Sequence, residues 1–126
     1  MNRSGPAQIL IASLAFALSM VLPAGAEIPE AAAKEYAKKG ALVVDVRTVE
    51  EFNARRLTNA INIPVADVKV KFPKVVTNKN DVVLLHCRSG RRSGIAETEL
   101  RAMGYTNVFN IGSYERAEKI LKAAGR

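Results

Sequence analysis

Cysteine and histidine occur once each in the 126 residues, as Cys87 and His86, and tryptophan is absent. A lone cysteine excludes an internal disulfide, so stability has to come from packing. It also excludes a dithiol oxidoreductase, which needs a resolving cysteine near the first. With no second histidine, a zinc site or a cysteine–histidine catalytic pair has little to build on. Aromatic residues make up only 6% of the chain, too few to offer a platform for stacking bases. Acids are scarce as well, 12 against 19 lysines and arginines, for a net charge of +7. Such a balance favours small anions or anionic surfaces as partners. No internal repeat or low-complexity tract occurs outside the N-terminal segment.

One long apolar run is present, at the start. Arg3 precedes "AQILIASLAFALSMVL", and Pro23 and "AGA" follow before Glu27. This is the three-part pattern of an export signal, with small residues at Ala24 and Ala26, and it predicts cleavage after Ala26. The alternative is an uncleaved membrane anchor, because Ser4 to Ala26 carries no charge. Gln8, Ser13, Ser19 and the Pro23 break favour cleavage. Residues 27–126 then form one modest periplasmic domain, by default a monomer, with 18 basic and 12 acidic residues and a net charge of +6. Export weighs against nucleic acid as a partner. It leaves contact with a membrane only to an uncleaved signal segment.

The rest alternates between helical and strand patterns. "IPEAAAKEYAKKG" reads as a helix with Pro29 near its first turn and Gly40 as its stop. "ALVVDV" is a continuous apolar run of strand length, and "TVEEF" pairs Thr48 with Glu51 as a capping box. "AINIP" predicts a short strand, "VADVKVKF" a short helix and "DVVLLHC" a second buried strand. Ser93 to Met103 predicts a helix ending at Gly104. "NVFNI" predicts a last strand and "SYERAEKILKAAG" an amphipathic final helix. This order implies an α/β fold, a mostly parallel sheet with helices on both faces. Working residues then gather beyond the carboxyl ends of the strands, which brings Asp45–Arg47 and Cys87–Ser93 to one edge.

The stretch "LLHCRSGRRSG" sets Cys87 in a cationic loop between a buried strand and a helix. A helix N-terminus facing the sulfur favours the thiolate. Ser89, Gly90 and Gly94 permit a tight turn whose N–H groups converge on an anion. Arg88, Arg91 and Arg92 add positive potential, although three adjacent side chains do not all point inward. A buried, inert cysteine at a strand end is the plain alternative, and loop, charge and topology argue against it. His86 faces away from Cys87 along the strand and is read as a packing residue.

"CRSGRRSG" followed by a helix and "MGYTNVFNIG" resembles the active-site region of the single-domain rhodaneses, the thiosulfate sulfurtransferases. "VVDVRTVEEF" and "NAINIP" resemble two earlier blocks of that family, in the right order. The likeness is nearest to the small exported members of the phage-shock-protein-E type. It implies a rhodanese-like three-layer fold with Cys87 as nucleophile. It also implies thiosulfate as a small anionic donor, a Cys87 persulfide, and cyanide or a thiol as acceptor, with no metal and no cofactor. Arg88, Ser89, Gly90, Arg91, Arg92 and Ser93 become the substrate-binding loop. Arg92 is the first candidate for contact, Arg88 the next, and Arg91 faces solvent.

Asp45 and Arg47 match the family's "DxR" and are read as supporting residues, Asp45 orienting loop groups or Arg47. Arg47 and Glu51 are spaced to pair at i,i+4 and brace the loop, while capping and surface charge explain Glu51 equally well. Where the family commonly reads Gly-His-Ile-Pro-Gly-Ala, this chain has Arg55, Arg56, Leu57, Thr58, Asn59 and Ala60. The two arginines enlarge the cationic surface near the active edge. A cysteine phosphatase or arsenate reductase is the mechanistic rival. Phosphatases of the tyrosine type place five residues between cysteine and arginine, a spacing that here falls on Ser93. A non-catalytic sulfur-carrier or binding module of the same fold is the alternative from another class.

Overall fold

Residues 22–126 are described by a computed structural model; the apolar segment read as an export signal lies, up to residue 21, outside the described residues. The elements run α1 (Glu30–Lys38), β1 (Leu42–Asp45), α2 (Val49–Ala54), β2 (Ile61–Asn62), a 3-10 turn (Val65–Asp67) leading into α3 (Val68–Val75), β3 (Val83–His86), α4 (Arg91–Ala102), β4 (Val108–Gly112) and α5 (Tyr114–Ala123). The strands form one parallel sheet in the order β2-β1-β3-β4. Among the described residues no helix is long and apolar enough to cross a membrane.

Strand periodicity divides the core into two layers. Val43, Leu84 and Ile111 face α1 and α5, where Ala33, Ala37, Ala117, Ile120 and Leu121 are buried. Val44, Leu85 and Val108 face the other way, onto Val68 and Phe72 of α3 and Ala96 and Leu100 of α4. Because side chains alternate along a strand, His86 belongs to the first layer and Cys87 to the second. The edge-on contact of His86 with Tyr114 of α5 and the packing of Cys87 with the α3–α4 layer agree with that division.

Local signals set most element ends. Thr48 Oγ1 accepts from Glu51 N while Glu51 reaches back to Thr48 N, the full capping box. Ser113 caps α5 by accepting from Arg116 N. Two boundaries differ from expectation. Helix α4 begins at Arg91, two residues early, because Gly90 turns the chain with φ at 96° and the helix starts directly after it. Helix α3 runs past Phe72 and Pro73 to Val75, since a proline forfeits only one hydrogen bond near the end of so short a helix. The atypical segment before β2 keeps a tight turn through Asn59. Its φ of 64° is one that asparagine tolerates in place of the family's glycine.

Parallel pairing brings the carboxyl ends of the strands into line. Asp45 pairs in register with Asn62 on one side and His86 on the other, and His86 pairs with Gly112. The chain before α1 lies along β4: Glu27 bridges to Asn110, and Ile28 N donates to Asn110 O at 3.1 Å.

Phe72 is fully buried and meets Tyr105 edge-on at 4.9 Å between ring centroids. Phe72→Ala is expected to cost about 3–5 kcal/mol, measured as a lower urea midpoint with an unchanged slope.

Candidate active site

Cys87 follows the last residue of β3 and is fully buried. Its Sγ accepts from Gly90 N at 3.0 Å and Ser93 N at 3.5 Å, and Ser93 Oγ lies 3.4 Å away. Gly90 is the N-cap of α4 and Ser93 its third residue, so the first turn of the helix closes on the sulfur. Burial pushes the thiol up. The Ser93 hydroxyl and the N–H groups of Ser93, Gly90 and Ser89 pull it down by more, and the net direction is below the ordinary thiol value. Backbone donors and one hydroxyl therefore lead in favouring the thiolate, ahead of the three loop arginines.

Gly90 is required by its backbone, since a φ of 96° suits glycine; a Cβ there would also meet Glu27 Oε2 at 2.5 Å, the end of a flexible side chain that can move aside. Asn110 holds the loop from behind. Its Nδ2 donates to Gly90 O at 3.0 Å and to Gly25 O at 2.8 Å. Its Oδ1 accepts from Gly112 N at 2.9 Å and from Ser93 Oγ at 2.7 Å. All four polar valences of this buried amide are used in the full chain, and the bond to Gly25 is the one that cleavage after Ala26 would remove. The single hydroxyl proton of Ser93 has three acceptors in reach, Asn110 Oδ1 at 2.7 Å, Gly90 O at 3.2 Å and the sulfur at 3.4 Å. The one signal for Asn110 in the sequence is an amide inside the apolar run "NVFNI".

Asp45 and Arg47 form a second, buried pair at the end of β1. Arg47 Nη2 donates to Asp45 Oδ2 at 2.7 Å, Arg47 Nε to both carboxylate oxygens at 3.0 Å, and Arg47 N to Oδ1 at 2.9 Å. These bonds raise the guanidinium above its already high value. The same guanidinium donates to Arg55 O at 2.6 Å and lies 5.0 Å from the centre of the Tyr114 ring. The i,i+4 spacing of Arg47 and Glu51 is not used as an ion pair. Arg47 turns back to Asp45, and Glu51 is taken by Arg92 with contacts of 2.7 and 3.1 Å. This fork ties α2 to α4 across the sheet edge. Asp45 thus orients Arg47, as its place at a buried strand end suggests.

Of the loop arginines, Arg92 is half-buried on Glu51, whereas Arg88 and Arg91 are exposed. Ser89 is exposed, with Ser89 Oγ 3.5 Å from Arg91 N. His86 is buried, and its Nδ1 lies 3.2 Å from Cys87 O. Its Nε2 is without a hydrogen bond, 3.7 Å from Asp45 Oδ2. Burial lowers its pKa, with Asp45 pulling the other way, so the ring is a packed neutral group. Among the described residues no group of three or more His, Cys, Asp or Glu side chains is placed to hold a metal.

A cysteine at the carboxyl edge of a parallel sheet, its sulfur enclosed by a short loop that becomes a helix, places the chain in the rhodanese class. Residues 29–118 match the rhodanese-like domain family, and the chain belongs to it. The thiosulfate sulfurtransferase PspE of Escherichia coli is 44% identical over 69 residues. That stretch is 55% of this chain and 66% of PspE, a little under two thirds of the relative. Among solved structures, an Escherichia coli rhodanese with anions superposes with a TM-score of 0.59 at 39% identity, covering 61% of this chain and 91% of that one. A human single-domain sulfurtransferase gives 0.56 at 25% identity, covering 75% and 94%.

Two outcomes are expected from this geometry. Ser93→Ala removes a donor from Sγ, so the pH at which Cys87 is half-alkylated by iodoacetamide shifts upward. The Arg92 guanidinium holds the Glu51 carboxyl at about 2 against the usual 4.5; burial opposes this and the Thr48 N–H assists. Glu51 therefore stabilises the fold fully above about pH 4.5, and its contribution fades as the pH falls toward 2. The gap in melting temperature between wild type and Glu51→Gln is expected to be constant near neutrality and to shrink across that acid range.

Proposed function

We propose that the chain is a periplasmic thiosulfate sulfurtransferase that carries sulfane sulfur as a persulfide on Cys87. The observation that carries this reading is the enclosure of a lone sulfur by the N–H groups of Gly90 and Ser93, with no second thiol in the chain. The names of PspE and the human relative support it, and so does the length of the Cys87–Arg92 loop.

In the first half-reaction the Cys87 thiolate attacks the outer sulfur of thiosulfate. A bond forms between Sγ and that sulfur, the sulfur–sulfur bond of thiosulfate breaks, and sulfite leaves with the electron pair. In the second, cyanide or a thiolate attacks the outer sulfur of the persulfide and Cys87 departs as thiolate. Both steps need an anionic sulfur to be held at the same point, and the converging donors supply that. Arg88 and Arg91, exposed on the loop, draw in the doubly charged donor. Arg92 and Ser93 bound the pocket from the helix side, and Ser89 and Gly90 from the turn. Because Cys87 is buried at rest, a donor reaches its sulfur only after a local rearrangement.

Export follows from the N-terminal pattern, with cleavage after Ala26. Intact-mass measurement tests both parts at once. Protein recovered from the periplasm is expected to begin at Glu27 and to gain one sulfur atom on incubation with thiosulfate, and Cys87→Ser is expected to gain none. A wild-type protein that takes no sulfur from thiosulfate or other sulfane donors would refute the assignment.

A further inference from the structure

The sulfur chemistry leaves Arg55 without a task, yet it stands at the active edge. A depression of about 330 Å³ lies next to the Cys87 loop, with Arg88 of that loop in its wall. Tyr114 and Ala54 give it apolar surface, and Arg47, Arg55, Glu51 and Glu115 complete it. Two of these charges are already matched, Arg47 by Asp45 and Glu51 by Arg92. Arg55 and Arg88 remain, opposed by Glu115 alone. Arg88 makes no ion pair among the described residues. Among the described residues the one ion partner of Arg55 is Glu118 at 3.8 Å, which stands outside the depression and also meets Lys122 at 3.8 Å.

Arg55 is also held in place. Its guanidinium carbon lies 4.1 Å from the centre of the Tyr114 ring, and its carbonyl accepts from Arg47. A guanidinium stacked on an aromatic face keeps its N–H edge free for a carboxylate and loses less side-chain freedom on binding one. A cationic, partly apolar hollow of this size beside a sulfur-bearing cysteine fits a small organic anion.

We propose that this depression is the acceptor subsite and that it selects thiols bearing carboxylates, held by Arg88 and by Arg55 where it is stacked on Tyr114. The proposal rests on the sulfurtransferase reading and names its acceptor. The acceptor gives its thiol proton to solvent, and its thiolate attacks the outer sulfur of the Cys87 persulfide. The new bond forms to the acceptor sulfur as the bond to Sγ breaks, and Cys87 returns as thiolate to the N–H groups of Gly90 and Ser93. The acceptor leaves as a persulfide still carrying its carboxylates. Cyanide is too small to use the subsite.

The test compares two acceptor thiols on the thiosulfate-loaded full chain, mercaptosuccinate with two carboxylates and mercaptoethanol with none. The readout is the ratio of their kcat/KM values in each variant, so that the intrinsic reactivities of the two thiols cancel between variants. Arg55→Ala is expected to lower the relative preference for mercaptosuccinate by about threefold to fivefold, the scale of one exposed ion pair. Arg56→Ala removes the same charge from outside the depression, where its guanidinium rests 4.5 Å from the Phe52 ring. It is expected to leave the ratio unchanged. Equal shifts in both variants would mean a general surface field, and no shift in Arg55→Ala would mean no subsite; either result overturns the proposal while the persulfide assignment stands. Failure of the wild type to load sulfur at all would instead defeat the sulfurtransferase reading.

Discussion

A polar sulfur out of reach of water has to be solvated by the protein, and that requirement organises the edge of the sheet around Cys87. Sγ of Cys87 is fully buried, so Gly90 N and Ser93 N take the place of solvent. For Gly90 N to point inward the chain must adopt a left-handed turn, which forces glycine and starts α4 immediately afterwards. The same turn presents Gly90 O backward, where Asn110 collects it together with the Ser93 hydroxyl. One electrostatic demand thus reaches from the loop through α4 to the middle of β4.

A second layer of charge keeps the neighbouring loop in position. Asp45 and Arg47 are both buried, and breaking such a pair leaves an uncompensated charge, so the loop after β1 has little freedom. Arg47 in turn fixes the backbone of Arg55 and lies near Tyr114, while Glu51 and Arg92 tie α2 to α4. The two loops that bound the hollow beside Cys87 are therefore braced before any ligand arrives. A braced cationic hollow binds an anion with less loss of conformational freedom than a flexible one.

Much of this was legible in the residues. The apolar runs "ALVVDV" and "DVVLLHC", separated by helical patterns, require a parallel sheet with covered faces, and that topology alone sends Asp45 and Cys87 to the same edge. The capping box at Thr48 and the packing role of His86 were equally readable, one from a local hydrogen-bond pattern and the other from strand parity. Arg47 was harder. At i,i+4 it can meet Glu51, and only the burial of Asp45 in the sheet makes the partner two residues back the stronger competitor. Asn110 was harder still, because an amide in a strand has no visible partners until the strand is placed behind the loop.

The sequence by itself determined the class of fold, the strand end that carries the lone cysteine and the turn that encloses it. Those depend on periodicity and on contacts within a few residues, which a linear reading contains. The tertiary structure alone decided the pairing of Glu51 with Arg92, forty-one residues apart, the hold of Asn110 on the loop and the stacking of Arg55 on Tyr114. Each joins elements distant along the chain. Charges and amides have several chemically acceptable partners, and only the packed fold decides which one comes within reach.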